Sequence, residues 1–312
     1  MIELTSTRAN PMVDPVLHVW AWRIPVYLFL GGLVAGMMAI LGWFMFSDRH
    51  RKAESVAHLL PGASLVLISL GMGALFLDLE HKAYVWRLYV TFRPASPMSW
   101  GAWILVAVYP ALAAALLLHM PPWLRRRTPA LAALADRLPA IPRLVRWVAA
   151  ANMILGGLLG IYTGVLLSAF GARPLWNSAL LGPLFLVSGL SSAAALVHLV
   201  ATDRSERELL ARADNRFLQA ELATLALFLI GLVTSTEAHL RAAELFFGGP
   251  FTAVFWVGVV GLGIVVPLFV QTLAVGHGVR HTPVAPLLVL AGGVLLRFVI
   301  VVAGQVSGWG PA

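Results

Sequence analysis

Several residues in this sequence could do chemistry from places where an apolar side chain would cost less. Tyr162 stands in "LGIYTGVLLSAFGARPLWN", within a ladder of Gly156, Gly160 and Gly164 at four-residue spacing. A phenol taken out of water needs a hydrogen-bond partner. Small residues at that spacing let helices approach closely and leave room beside the ring. Tyr162 therefore reads either as a donor to a ligand or as part of an interfacial aromatic belt. Trp20, Trp22, Trp86, Trp100 and Trp176 read first as belt residues. Asp78 and His81 lie three apart around Glu80. An acid and a histidine near a membrane surface can relay protons, and a solvated helix end would look the same. Glu221, in "QAELATLALFLIGL", and Arg297, in "VLLRFVIVVAGQ", are ionisable groups inside apolar runs. Charges at such depth face the protein interior and have partners, either in a structural pairing or along a polar conduit. Glu221 is expected near the cytoplasmic side, at a different depth from Arg297, so the two need not pair with each other.

The elements that hold these residues must be membrane helices. The 312 residues are 60% apolar and only 12% charged, where soluble domains carry about 25% charged residues. Spans need roughly 20 mostly apolar residues. Eight runs qualify: Ile24–Phe46, Leu59–Leu77, Trp100–His119, Leu144–Ala169, Leu175–Val200, Phe217–Ser235, Phe251–Ala274 and Val284–Val306. The expected fold is an all-α integral membrane protein, two four-helix bundles with both termini periplasmic. Residues 1–23 would form a periplasmic N-terminal segment, 24–174 the first bundle and 175–312 the second. A cut near residue 147 would not yield independent domains. "MIELTSTRANPMVDP" is polar and mixed in charge, unlike a cleavable signal. The most polar connections are expected at 120–147 and 201–217.

Orientation follows from basic residues, which favour the cytoplasmic side. The loops after spans one, three, five and seven hold 14 Lys/Arg and the other side 7, with Arg125–Arg127 the strongest marker. The net charge of +8 thus reads as topology and not as nucleic-acid binding. Both termini face out, and Tyr27, Asp78, "SPMSWGAW", Tyr162, Arg173 and Trp176 reach one outer level. The sequence has no cysteine, which excludes disulfides, thiolate-held iron–sulfur clusters and thioether-linked haem. None of its nine histidines falls at the centre of a span, where a bis-histidine haem would need facing pairs.

These stretches resemble the NrfD/PsrC family, the membrane subunits of polysulfide reductase and cytochrome c nitrite reductase systems. The resemblance is carried in order by "WRIPVYLFLGGLVAG", "LDLEHKAYVWRLYVTFRPASPMSWGAWIL", "GIYTGVLLSAFGARPLWN", "FLVSGLSSAAA", "VGVVGLGIVVPL" and "LLRFVIVVAGQ". It implies a multi-pass subunit of the bacterial inner membrane without haem, cluster or metal of its own. Such a subunit exchanges electrons between menaquinone or ubiquinone and a four-cluster ferredoxin-like iron–sulfur protein. Through that protein it would serve a molybdopterin enzyme or multihaem cytochrome, which handles the terminal substrate. The resemblance places the family's span-four quinone tyrosine on Tyr162; with the residues read around it, Tyr162, Asp78 and His81 are the expected catalytic residues and Tyr27, Tyr162, Arg23, Trp100 and Arg173 the expected quinone contacts. Tyr27 takes the place of a histidine found in some members, and Glu80-His81-Lys82 replaces the usual Gly-Arg-Pro. Glu221 and Arg297 are candidates for a proton path. The competing expectations are a proton- or ion-translocating transporter, and a structural anchor.

Overall fold

The computed structural model describes residues 20–48, 54–201, 203–277 and 283–308. The expected N-terminal segment falls mostly outside them, as do the basic residues 49–52. Eight helices are long and apolar enough to cross a membrane, so the protein is a multi-pass membrane protein. They are α1 (Arg23–Phe46), α2 (Glu54–Asp78), α3 (Pro97–Leu118), α4 (Pro142–Ser168), α5 (Leu181–Val200) and α6 (Arg204–Thr234). In α7, π-helix Val254–Val265 runs on into α-helix Val266–His277, and α8 is Val284–Val306. Proline opens α3 and α4, where its missing N–H costs nothing and its fixed φ suits the first turn. Pro61 and Pro110 lie inside α2 and α3, a feature membrane helices tolerate.

Helix α1 is apolar all round, the signature of a helix enclosed by others. It contacts α2, α4, α5 and α8. Contacts also join α2 to α3, α3 to α4, α5 to α6, α6 to α7, and α8 to both α7 and α5. Glycines allow the closest crossings. A Cβ on Gly36 of α1 would lie 2.6 Å from the Ala193 Cβ of α5, and one on Gly156 of α4 would lie 2.6 Å from the Ala35 carbonyl. Lipid supplies no hydrophobic drive between helices, so close packing of this kind is what holds them together.

Two expected boundaries are wrong, each for a physical reason. Helix α5 begins at Leu181, not Leu175, because Leu175 and Trp176 are buried in a loop pinned to α8. Helix α6 begins at Arg204, not Phe217. The polar stretch read there as a connection is helical, with an i,i+4 Arg212–Glu208 contact at 3.4 Å on its surface. The connection between α3 and α4 also folds, as short helices Pro122–Arg127 and Pro129–Arg137.

Candidate functional site

At the end of the molecule where α1 begins and α2 closes, α1, α3 and α4 bring two tyrosines together. Tyr162, on α4, is 6% exposed, and Tyr27, one turn into α1, is 2% exposed. The Tyr162 ring lies directly over Gly101 of α3, whose backbone leaves the space; a Cβ there would collide with the phenol carbons and hydroxyl. Across from them Gly71 of α2 presents bare backbone, with the Tyr27 ring 3.8 Å from where a Cβ would stand. The two phenols are within electrostatic reach of each other, and Tyr89 is within reach of Tyr27. Neither the Tyr27 nor the Tyr162 hydroxyl has a hydrogen-bond partner among the described residues. The rings are buried while the hydroxyls stay open to a partner from outside the protein.

Arg23 lies one helical turn before Tyr27 and pairs with Asp78 at the end of α2, N to O 3.5 Å. The carboxylate is 14% exposed and the guanidinium 41%, so the pair caps the tyrosine site at the water boundary. As a partly exposed ion pair it adds little stability. The loop that follows folds back over the site. Ser99 Oγ donates to the Thr91 carbonyl at 3.3 Å and accepts from the Arg93 N–H at 3.0 Å. Tyr89 sits in this loop, on the short helix Arg87–Val90. Burial first, then nearby Tyr109, pushes its pKa above the ordinary tyrosine value. It stays neutral and able to donate.

Three expected site residues take other positions. His81 is exposed in the loop after α2, with its ring 6.4 Å from that of Tyr84. Trp100 is 45% exposed, and its indole N–H donates to the Pro94 carbonyl at 2.7 Å, which fixes the turn into α3. Arg173 is buried after α4, where Nη1 donates to the Ser307 carbonyl at 2.9 Å. Trp176 is also buried and so is not a belt residue. Its indole N–H donates to the Ile300 carbonyl at 2.9 Å, its ring fills the space beside Gly304, and it stacks on Trp20. "RPLWN" therefore locks the α4–α5 loop to the end of α8. Trp22, Trp86 and Trp100 are exposed, as a belt requires.

A second polar cluster lies between α5, α6, α7 and α8. Asp214 of α6 is fully buried. It accepts from Ser191 Oγ of α5 at 2.6 Å and from Gln271 Nε2 of α7 at 2.7 Å. Two turns along α6, Glu221 lies within electrostatic reach of Ser188 and Arg297. The same serine accepts from Arg297 Nη1. Arg297 also donates to the Phe185 carbonyl at 2.9 Å and lies over the Phe185 ring, 4.7 Å from its centroid. Glu221 and Arg297 are therefore coupled, against the expectation of separate depths. Because α6 starts at Arg204, Glu221 lies about 25 Å along it at 1.5 Å per residue, roughly halfway along that helix. Asp214, Ser188, Ser191 and Gln271 were not singled out from the sequence. The available signal was spacing: Asp214 and Glu221 fall on the buried stripe of Leu210, Leu218 and Leu225.

Comparisons with known proteins extend along nearly the whole sequence. A family model described as polysulphide reductase, NrfD, matches residues 9–307. One polysulfide reductase polypeptide, from Wolinella succinogenes, is 32% identical over 306 residues, covering 92% of this protein and 94% of that one. Protein NrfD of Escherichia coli (strain K12) is 31% identical, covering 93% and 96%. One selenate reductase polypeptide, from Mesobacillus selenatarsenatis, is 26% identical, covering 92% and 74%.

Proposed function

We propose, since this chain belongs to the polysulphide reductase NrfD family, that it is the quinone/quinol-exchanging membrane subunit of a respiratory oxidoreductase complex. The observation that carries this reading is the pair of buried tyrosines, Tyr162 over the Gly101 backbone and Tyr27 beside Gly71, whose hydroxyls have no partner among the described residues. They are donors placed for a polar ring in an apolar setting, which suits a quinone head. When bound, a quinol supplies two electrons and two protons. Tyr27 and Tyr162 hold and orient its oxygens. Asp78, at the water boundary and balanced by Arg23, takes up protons leaving the site. His81, in the exposed loop beyond, passes them to solvent. Electrons go to a four-cluster iron–sulfur partner docked at this end, and from it to a molybdopterin enzyme or multihaem cytochrome. Purified protein titrated with a short-tailed naphthoquinone should show saturable, one-to-one quenching of tryptophan emission. Quenching that rises linearly without saturation would count against the site.

Helices α1–α4 form the quinone bundle and α5–α8 a second one; closed rings of contacts within each set support that division. The protein lies in the bacterial inner membrane with both termini periplasmic, as the two-to-one bias in loop arginines and lysines suggests. A periplasm-active reporter fused after Ala312 should be active, and a cytoplasm-active one silent. The reverse pattern would invert the assignment and put Tyr162 at the cytoplasmic face.

A second activity, proton movement through α5–α8, is supported by one observation. Asp214, Ser191, Gln271, Glu221, Ser188 and Arg297 make a buried polar relay where apolar packing would be cheaper.

A further inference from the structure

An apolar groove of about 920 Å3 opens on the side of the molecule between α2 and α3, on one hand, and α5 and α8 on the other. Phe29, Leu33, Leu60, Leu116, Leu196 and Leu290 are among its walls. Its volume lies near the top of the roughly 300–1,000 Å3 range of small-molecule sites. Gly62 faces open space in it, since an added Cβ would meet only Leu116, at 3.9 Å. The groove reaches the end of the bundle opposite the Tyr162 site. There it is bordered by His58 and by Trp123 and Leu124 of the short helix Pro122–Arg127. Arg126 and Arg127 follow those two residues by three positions, on the same helix face. Both arginines are exposed, whereas Arg125 is paired with Asp136. His58 also borders a neighbouring, more polar pocket of about 520 Å3, shared with Asp48, His119 and Arg146. A long apolar slot thus ends at a predominantly basic rim.

We propose that this groove binds an anionic membrane phospholipid, with its acyl tails in the slot and its phosphate at Arg126, Arg127 and His58. The inference is independent of the quinone reading. Charge complementarity selects the occupant: a neutral quinone head would leave the arginines unused, and a zwitterionic lipid would set its own cation against them. The slot spans the junction of α1–α3 with α5 and α8, where the helix surfaces leave a gap that two flexible tails can fill. A lipid held there would tie the two sets of helices together.

The test uses the full-length protein, stripped of lipid in detergent and titrated separately with phosphatidylglycerol, phosphatidylcholine and a long-tailed quinone. Bound lipid is read by mass spectrometry and stability by the melting temperature. Phosphatidylglycerol should bind and raise the melting temperature, while the other two should do so only at much higher concentration. Each basic side chain facing anionic lipid strengthens binding about fivefold. The Arg126→Gln/Arg127→Gln double variant should therefore bind phosphatidylglycerol roughly 30-fold more weakly. Gly62→Leu, which fills the slot, should lose retained lipid. Should Gly62→Leu not fold, the surface double variant and the wild-type lipid comparison each decide the matter alone. Equal binding of phosphatidylcholine, preferential uptake of quinone, or undiminished phosphatidylglycerol binding by the double variant would overturn the proposal.

Discussion

Tyr162→Phe should leave the protein folded and assembled but slow quinol-dependent reduction of the partner by about 5- to 100-fold. The substitution keeps the ring over Gly101 and deletes only the hydroxyl. A net hydrogen bond is worth roughly 0.5–1.5 kcal/mol, and an unpaired buried partner costs about 1–3 kcal/mol; at about 1.4 kcal/mol per decade the second of these gives roughly the stated range. If the hydroxyl bonds the bound quinone equally throughout, KM rises; if the bond strengthens as charge develops on the quinone oxygen, kcat falls instead. Gly101→Ala approaches the same point from α3. Its methyl would displace the phenol, at an overpacking cost of about 1–3 kcal/mol, and should reproduce the Tyr162→Phe defect with the hydroxyl still present. Partner activity with an artificial donor should stay intact in both variants. Wild-type quinol kinetics in an assembled Tyr162→Phe complex would leave this tyrosine as packing between α3 and α4.

The inward placement of Tyr162 was legible because its setting is local. A phenol in a glycine ladder on an apolar helix is visible within a short window of sequence, and Asp78 was marked by its place directly after an apolar run. Lengths and loop charges of the spans are local too, so eight helices could be counted. Arg173 and Trp176 were misplaced because their partners are remote. Ser307 and Ile300 lie more than a hundred residues away, and nothing in "RPLWN" says that its side chains turn inward. Asp214 was hidden by its neighbours. In "DRSERELLARADNR" the buried Asp214 and Glu206 stand close to the exposed Asp203, Arg212 and Arg216, and hydropathy averages them together. Only the helical stripe separates it from them, and that stripe could be drawn only if the helix were known to start at Arg204.

The polar relay through α5–α8 should reveal itself in a double-mutant cycle between Glu221 and Arg297. Arginine keeps its charge in proteins, so Arg297 must be stabilised by what surrounds it: Ser188, the Phe185 carbonyl and ring, and Glu221. Arg297→Met removes the cation and leaves Glu221 and Ser188 without it. Removing one member of a buried charged pair costs about 3–5 kcal/mol, whereas replacing both by apolar groups of similar size is often nearly neutral. Each of Arg297→Met and Glu221→Leu should thus lower unfolding stability in detergent by roughly that amount, and the double variant should regain most of the loss. The coupling should therefore exceed the roughly 0.5–3 kcal/mol usual for neighbouring residues. Simple additivity would mean that Ser188 does not link them, and the relay would break at that point. Asp214→Asn separates conduction from structure. The amide keeps the shape and can still accept from Ser191, but it cannot carry a proton. In proteoliposomes with an assembled complex, it should abolish any quinol-linked proton uptake while electron transfer continues. Undiminished proton movement in Asp214→Asn would leave the cluster as a packing device joining α5, α6 and α7.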